Sequence, residues 1–159
     1  LDQFYREGER VVFDLKPFLF EGVVLREKDY RQQLKEFDWT EYKNKFVAIT
    51  CSVDAIIPSW AYMLAMVYLK PVSAEVILGN LEELEQYLVM NSLKEMNPDD
   101  FLDKPVVIKG CSKFPVPGFA YGELVKILMP SARSIMYGEP CSTVPIFKRS
   151  KLVENDRKI

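Results

Sequence analysis

Histidine is absent from this chain. That absence removes Ser-His-Asp and Cys-His catalysis, His-ligated zinc and histidine phosphorelay together, because each needs an imidazole as base, ligand or phosphate carrier. Cysteine is scarce. There are three, an odd number without the spacing of small secreted proteins, which argues against a disulfide framework and for a reducing compartment. Long apolar runs are missing as well. The longest, Trp60 to Leu69, follows a proline and falls well short of the roughly 20 residues that span a bilayer. No signal-peptide pattern is visible, so the expectation is a cytoplasmic protein without a membrane partner. The chain starts at Leu1 rather than at a methionine, and the same reading expects N-terminal residues to be missing.

Charge of one sign is also lacking. With 21 basic and 23 acidic residues the net charge is −2, which offers no general attraction for nucleic acid. The one basic cluster, Lys148, Arg149, Lys151, Arg157 and Lys158, reads as a solvated tail over 148–159. Two further motifs are absent. Phosphatase-like loops need an arginine six residues after the cysteine to wrap a phosphate, and those positions hold Ile57, Pro117 and Phe147. No G-x-G-x-x-G follows a strand, so dinucleotide binding has no support.

What is present suits an ordinary globular protein: 159 residues, 48% hydrophobic and 28% charged, enough for one well-buried core. The expectation is a single domain over 1–147. Within it the chain repeats itself at an offset of 59 residues. Leu34-Lys35-Glu36-Phe37-Asp38 aligns with Leu93-Lys94-Glu95-Met96-Asn97, and Val47 and Ile49 align with Val106 and Ile108. After a one-residue insertion Cys51-Ser52 meets Cys111-Ser112. The register then returns for Pro58/Pro117, Ala61-Tyr62/Ala120-Tyr121, Pro71/Pro130 and Gly79/Gly138. The repeats cover about 28–79 and 81–138.

Each repeat reads as α-β-α-β. Amphipathic spacing predicts helices over Lys28–Phe37 and Leu81–Met96. Short β-branched runs predict strands at Phe46–Thr50 and Val106–Lys109, of the kind buried on both faces. Pro58 and Pro117 stand where the next helices begin, and Pro71 and Pro130 stop them. Further strands run over Glu75–Leu78 and Ser134–Tyr137. Ahead of the repeats, Val11–Leu15 and Leu19–Leu25 read as two more. Alternating strands and helices imply an α/β fold: a mostly parallel sheet of five or six strands with helices on both faces, built by tandem duplication.

In open parallel sheets ligands gather beyond the carboxyl ends of the strands. Cys51 and Cys111 lie just past equivalent strands, and Cys141 follows the last one. Three thiols at one sheet edge form a candidate metal site, since soft thiolates select zinc, copper(I) or an iron–sulfur cluster. With no histidine, zinc would take a fourth ligand such as Asp54 or Glu139. Lys109 and Ser112 are accessory candidates. Two alternatives stand beside this one. The cysteines are small packing residues of an interaction module, or the crevice serves a small-molecule enzyme with Asp54, Lys109 or Glu139 in acid–base roles; a homo-oligomer is compatible with either. Sulfurs within about 4–7 Å of each other would favour shared metal, given zinc–sulfur bonds of roughly 2.3 Å. Trp60, Tyr62 and Tyr121, on the first turns of equivalent helices, read as packing against the sheet rather than stacking on a ligand.

The segments Glu7-Gly8-Glu9-Arg10-Val11-Val12-Phe13-Asp14, Ala48-Ile49-Thr50-Cys51-Ser52 and Val107-Ile108-Lys109-Gly110-Cys111-Ser112, together with the stretch from Ser134 to Pro145, resemble a bacterial family known as domain of unknown function 2480. Tyr137-Gly138-Glu139-Pro140-Cys141-Ser142-Thr143-Val144-Pro145 is the most specific part. The resemblance covers nearly the whole chain except the tail. It implies a small cytoplasmic protein, and an N-terminal extension beyond Leu1. It supplies no activity, cofactor or catalytic residue.

Overall fold

The structure, a computed structural model, describes residues 1–110, 113–139 and 141–150. It is a mixed α/β arrangement of four α-helices and two three-stranded sheets. The chain forms two compact units, the first over Glu7–Tyr87 and the second over Leu1–Arg6 and Leu88–Ile159.

In the first unit, β1 (Arg10–Asp14), β2 (Phe46–Thr50) and β3 (Glu75–Leu78) form an all-parallel sheet in the order β1-β2-β3. Val47, Ile49 and Val76 face a core completed by Ala61, Ala65 and Leu69 of α2 (Ser59–Leu69) and by Tyr30 and Leu34 of α1 (Glu27–Glu36). The three α2 residues recur every four positions, which stacks them on one helix face. Aromatic rings fill much of this core: Phe13 contacts Phe18, Phe37, Trp39 and Tyr42 at centroid distances of 5.3–5.7 Å. Such offset and edge-on contacts add to the area that the rings bury. The opposite sheet face is also covered. Phe46 and Ala48 are buried there, and Arg10 forms a two-pronged ion pair with Glu85 of α3 (Leu81–Lys94) at 2.9 and 3.2 Å. Asn80 and Glu83 cap α3 reciprocally: the Glu83 amide donates to Asn80 Oδ1 and the Asn80 amide to Glu83 Oε2. This is a capping box with asparagine in the cap position.

In the second unit, β4 (Pro105–Ile108) and β5 (Ser134–Glu139) are parallel, and β6 (Ser142–Lys148) runs antiparallel along β5. Ile108 and Ile135 pack with Val89 and Leu93 of α3 and with Ala120, Leu124 and Leu128 of α4 (Gly118–Leu128).

Local structure recurs at a spacing of 59 residues. The 3-10 turns Trp39–Tyr42 and Pro98–Phe101 are capped by Asp38 and Asn97, whose side chains accept from the amides of Thr40 and Asp99. Asn44 and Asp103 then take left-handed conformations with φ of 59° and 53°. Their amides donate at 2.9 Å to the carbonyls of Val72 and Ser131, tying each turn to the segment before the next strand. Short polar side chains tolerate this backbone region best after glycine. Gly79 and Gly138, with φ of 148° and 122°, sit at matching places by the ends of β3 and β5.

Three expectations need correction. The single sheet of five or six strands is instead two sheets of three, because strand periodicity locates strands and says nothing about their hydrogen-bonding partners. Helices flank both faces of the first sheet, whereas the second exposes Val107 and Pro145 on the face opposite α4. Leu19–Leu25 is not a strand. Glu21 and Gly22 adopt positive φ of 52° and 73° and fold the run back on itself, leaving the isolated bridge Phe20–Val24. Conversely, β6 lies where no strand was expected. Pro145 disguises it, and a proline is tolerated there because β6 is the edge strand of its sheet. Among the described residues, no helix is long and apolar enough to cross a membrane.

Candidate functional site

The candidate residues fall, in sequence, at or just beyond the carboxyl ends of the strands. In the first unit, Cys51 leaves β2 as a half-buried free thiol packed against the aromatic core. Tyr62, on the first turn of α2, packs against the same core. Its hydroxyl is pushed above the ordinary phenol range, first by burial and then by the neighbouring Cys51. Trp60 packs there too, while the Tyr30 hydroxyl donates to the Ala61 carbonyl at 3.1 Å. Asp54 lies in the exposed loop beyond Cys51.

Asp14, at the end of β1, closes this edge. Its Oδ1 accepts from the Lys16 amide at 2.9 Å and from the Ser52 amide at 3.0 Å. The first bond is an Asx turn, in which a short carboxylate reaches the amide two residues on. The second ties β1 to the residue after Cys51. Partial burial alone would raise the Asp14 carboxyl. The Ser52 hydroxyl, the Lys16 and Ser52 amides and the Lys16 charge outweigh it, so the group sits below the ordinary carboxylate value.

The second unit has a counterpart. Gly110 follows β4 at a point where a Cβ would lie 2.5 Å from the Tyr137 hydroxyl, so only glycine fits without displacing that ring. Cys111 and Ser112 lie outside the described residues. Immediately after them, Asp2 Oδ1 accepts from the Lys113 amide at 2.8 Å and from the Phe114 amide at 3.4 Å, and Tyr5 stacks on Phe114 at 4.0 Å. An aspartate from an earlier segment therefore closes the post-strand loop in each unit. Tyr121 meets Tyr137 edge-on at 5.8 Å. Lys109 is exposed, Glu139 is half-buried opposite Ser142, and Cys141 is an exposed free thiol beside the β5–β6 turn.

Cys51 and Cys141 thus belong to different compact units. Among the described residues no three His, Cys, Asp or Glu side chains are grouped so as to hold a metal ion. Asp2 and Asp14 were not singled out from the sequence. The available signal was Asp14 itself, a strand-disfavoured residue ending a β-branched run two positions before a lysine amide. A concavity of about 490 Å³ in the second unit, bordered by Gln3, Arg6, Ser92, Glu95, Asn97 and Asp100 among others, includes none of the candidate residues.

No curated protein and no solved structure matches the chain. A family model described as protein of unknown function (DUF2480) matches residues 1–149 of the 159, and the chain belongs to that family.

Proposed function

We propose that this protein is a non-enzymatic interaction module, a duplicated α/β scaffold whose strand-end cysteines serve packing. The closure of both strand-end loops by aspartates carries this reading. In enzymes built on parallel sheets, amides at this edge are left free to hold a substrate anion. Here Asp14 occupies the Ser52 amide, and Asp2 occupies those of Lys113 and Phe114. A fixed negative charge therefore stands where a phosphate or carboxylate would bind. The packing of half-buried Cys51 against the core supports the same reading, since a free cysteine set among apolar side chains behaves as a small hydrophobe. Meanwhile the chain leaves large apolar side chains exposed elsewhere, Met63 and Val67 of α2 among them.

A second reading makes Cys51, Cys111 and Cys141 ligands of zinc or an iron–sulfur cluster, with Asp54, Lys109, Ser112 and Glu139 as accessories. One observation favours it. Ile108 of β4 lies opposite Tyr137 of β5 in a parallel pair, so the chain heading for Cys111 leaves the same sheet edge at which Cys141 is exposed.

One experiment decides between them. The protein is purified anaerobically, beside Cys51→Ser and Cys141→Ser, with metal and sulfide analysis and a visible spectrum. Metal-free, colourless samples in all three cases are the expected outcome. Stoichiometric zinc, or a visible band that either substitution removes, would overturn the packing reading.

A further inference from the structure

The segment Leu1–Arg6 groups with the second unit, although Glu7, the next residue, belongs to the first. It lies on that unit as a peptide lies on a receptor. Leu1 and Phe4 pack against the core cluster, in a groove formed by Val89, Leu93, Pro115, Val116 and Ala120. The free space left in that groove is about 10 Å³, the least that holds one water, so the fit is close. Tyr5 stacks on Phe114 with ring centroids 4.0 Å apart and planes 4° from parallel. Between these anchors in sequence, Asp2 takes the amides of Lys113 and Phe114. Arg6 follows, and shares the border of the 490 Å³ concavity with Glu95 and Asp100.

Side chains, rather than a strand ladder, hold the segment in place. Among the described residues it pairs with no strand. The amides of Phe4 and Tyr5 bond within it, to the carbonyls of Leu1 and Asp2 at 3.0 Å. All six of its residues are half-buried or exposed. The closure of the first unit is built differently, because Asp14 is itself part of β1 and lies opposite Thr50 in the ladder. A segment without ladder bonds and with half-buried anchors opens well below the free energy of global unfolding.

We propose that this groove is a docking site for a linear segment of a partner protein, with Leu1–Arg6 as its resident internal occupant. The partner segment has the pattern apolar-Asp-x-aromatic-aromatic-basic. The inference rests on the reading of the protein as an interaction module and names the chemistry of its partner.

Each position of the pattern follows from what it meets. The first apolar residue and the first aromatic fill the groove, the carboxylate satisfies two backbone amides, and the second aromatic stacks on Phe114. The basic residue faces a concavity that carries two carboxylates, so its charge is complementary. A second copy of the chain is the weaker occupant. Its segment is already held in cis at a roughly millimolar effective concentration. Exchange between copies adds no contact and costs association entropy. A partner segment that continues beyond its basic residue does add contacts, because the concavity there is open.

Fluorescence anisotropy on the full chain tests the proposal, with the end-blocked, labelled peptide Leu1-Asp2-Gln3-Phe4-Tyr5-Arg6 as the probe. The resident segment competes with the probe, so weakening it in cis strengthens binding in trans. The wild type binds the peptide weakly, and Phe4→Ala binds it at least about ten-fold more tightly. The same substitution made in the peptide abolishes binding, as does Val116→Lys in the protein. Circular dichroism confirms that each variant is folded. Tyr5→Ala removes the stack but keeps Leu1 and Phe4, and it gives the same direction of change if Phe4→Ala unfolds. Equal affinities for the wild type and the folded cis variants overturn the inference, as does no binding to any of them. Either result leaves the cysteine experiment untouched. A wild-type dimer in sedimentation equilibrium that the peptide dissociates would assign the groove to a second copy and likewise overturn the inference.

Discussion

The two units carry the same strand–helix–strand element into different surroundings. In the first, the added strand β1 lies beside β2 and runs parallel to it. In the second, the added strand β6 lies beside β5 and runs antiparallel. The sheets are therefore extended on opposite sides of equivalent pairs. Their faces differ too. Ala48 of β2 is fully buried, whereas its equivalent Val107 is 38% exposed. The cores differ in chemistry: rings such as Phe13, Phe18 and Tyr30 are buried in the first unit, while the buried set of the second is aliphatic. A supersecondary element thus keeps its turns and hydrogen bonds while the residues outside it decide what its faces must be. Ala48 is small because its face is covered, and Val107 can be larger because its face is not.

The parts held in common should respond alike, and they carry the largest effects. Leu69 and Leu128 end equivalent helices at 0% and 2% exposure. Leu69→Ala and Leu128→Ala should each cost about 2–5 kcal/mol in urea unfolding, through lost burial and the cavity left behind. A loss below that range at one site alone would show that the inner faces of the two helices are not packed equivalently. The parts that differ should respond unequally. Ala48→Val forces extra methyl groups into a sheet face already covered and should cost about 1–3 kcal/mol. The reverse exchange, Val107→Ala on the open face, should stay within about 1 kcal/mol. Equal costs would remove the distinction between the covered and uncovered faces.

Much of the local architecture was legible in the sequence because it depends on local chemistry. Phe46–Thr50 and Glu75–Leu78 are strands with the boundaries read from their β-branched runs. Pro58 and Pro117 immediately precede their helices. Family membership was legible from the Tyr137–Pro145 stretch. Strand pairing was not, because it is set by contacts distant in sequence: nothing in Arg10–Asp14 says that it pairs with β2, or in Ser142–Lys148 that it folds back on β5. Leu19–Leu25 has the apolar composition of a strand, but the left-handed conformations of Glu21 and Gly22 break the run. At the strand ends, the thiols are the residues whose chemistry the sequence makes plain. The residues that organise the loops are Asp14 and Asp2, which reach amides remote in sequence, those of Ser52 and of Lys113 and Phe114. Asp14 reaches the Ser52 amide across 38 residues, a contact that no local pattern announces.

The smallest effect tests that closure. Asp14 is held below the ordinary carboxylate pKa of 3.8, so the folded state favours its ionised form more than the unfolded chain does. Its contribution to stability is full above 3.8 and is lost as pH falls through the lower value of the folded state, where protons bind the unfolded chain first. Asp14→Asn removes the charge and keeps the shape. At neutral pH it should cost about 0.5–1.5 kcal/mol, the size of a partly exposed hydrogen-bonded contact. The gap between wild type and variant, measured as urea midpoints from neutral to acid, should narrow as pH falls below the ordinary carboxylate range and close in strong acid. Asp2→Asn gives the corresponding neutral-pH cost for the second unit. Similar costs would make loop closure by a remote aspartate a shared structural device. A gap at Asp14 that stayed constant down to strong acid would show that the bonds to Ser52 and Lys16 do not depend on its charge.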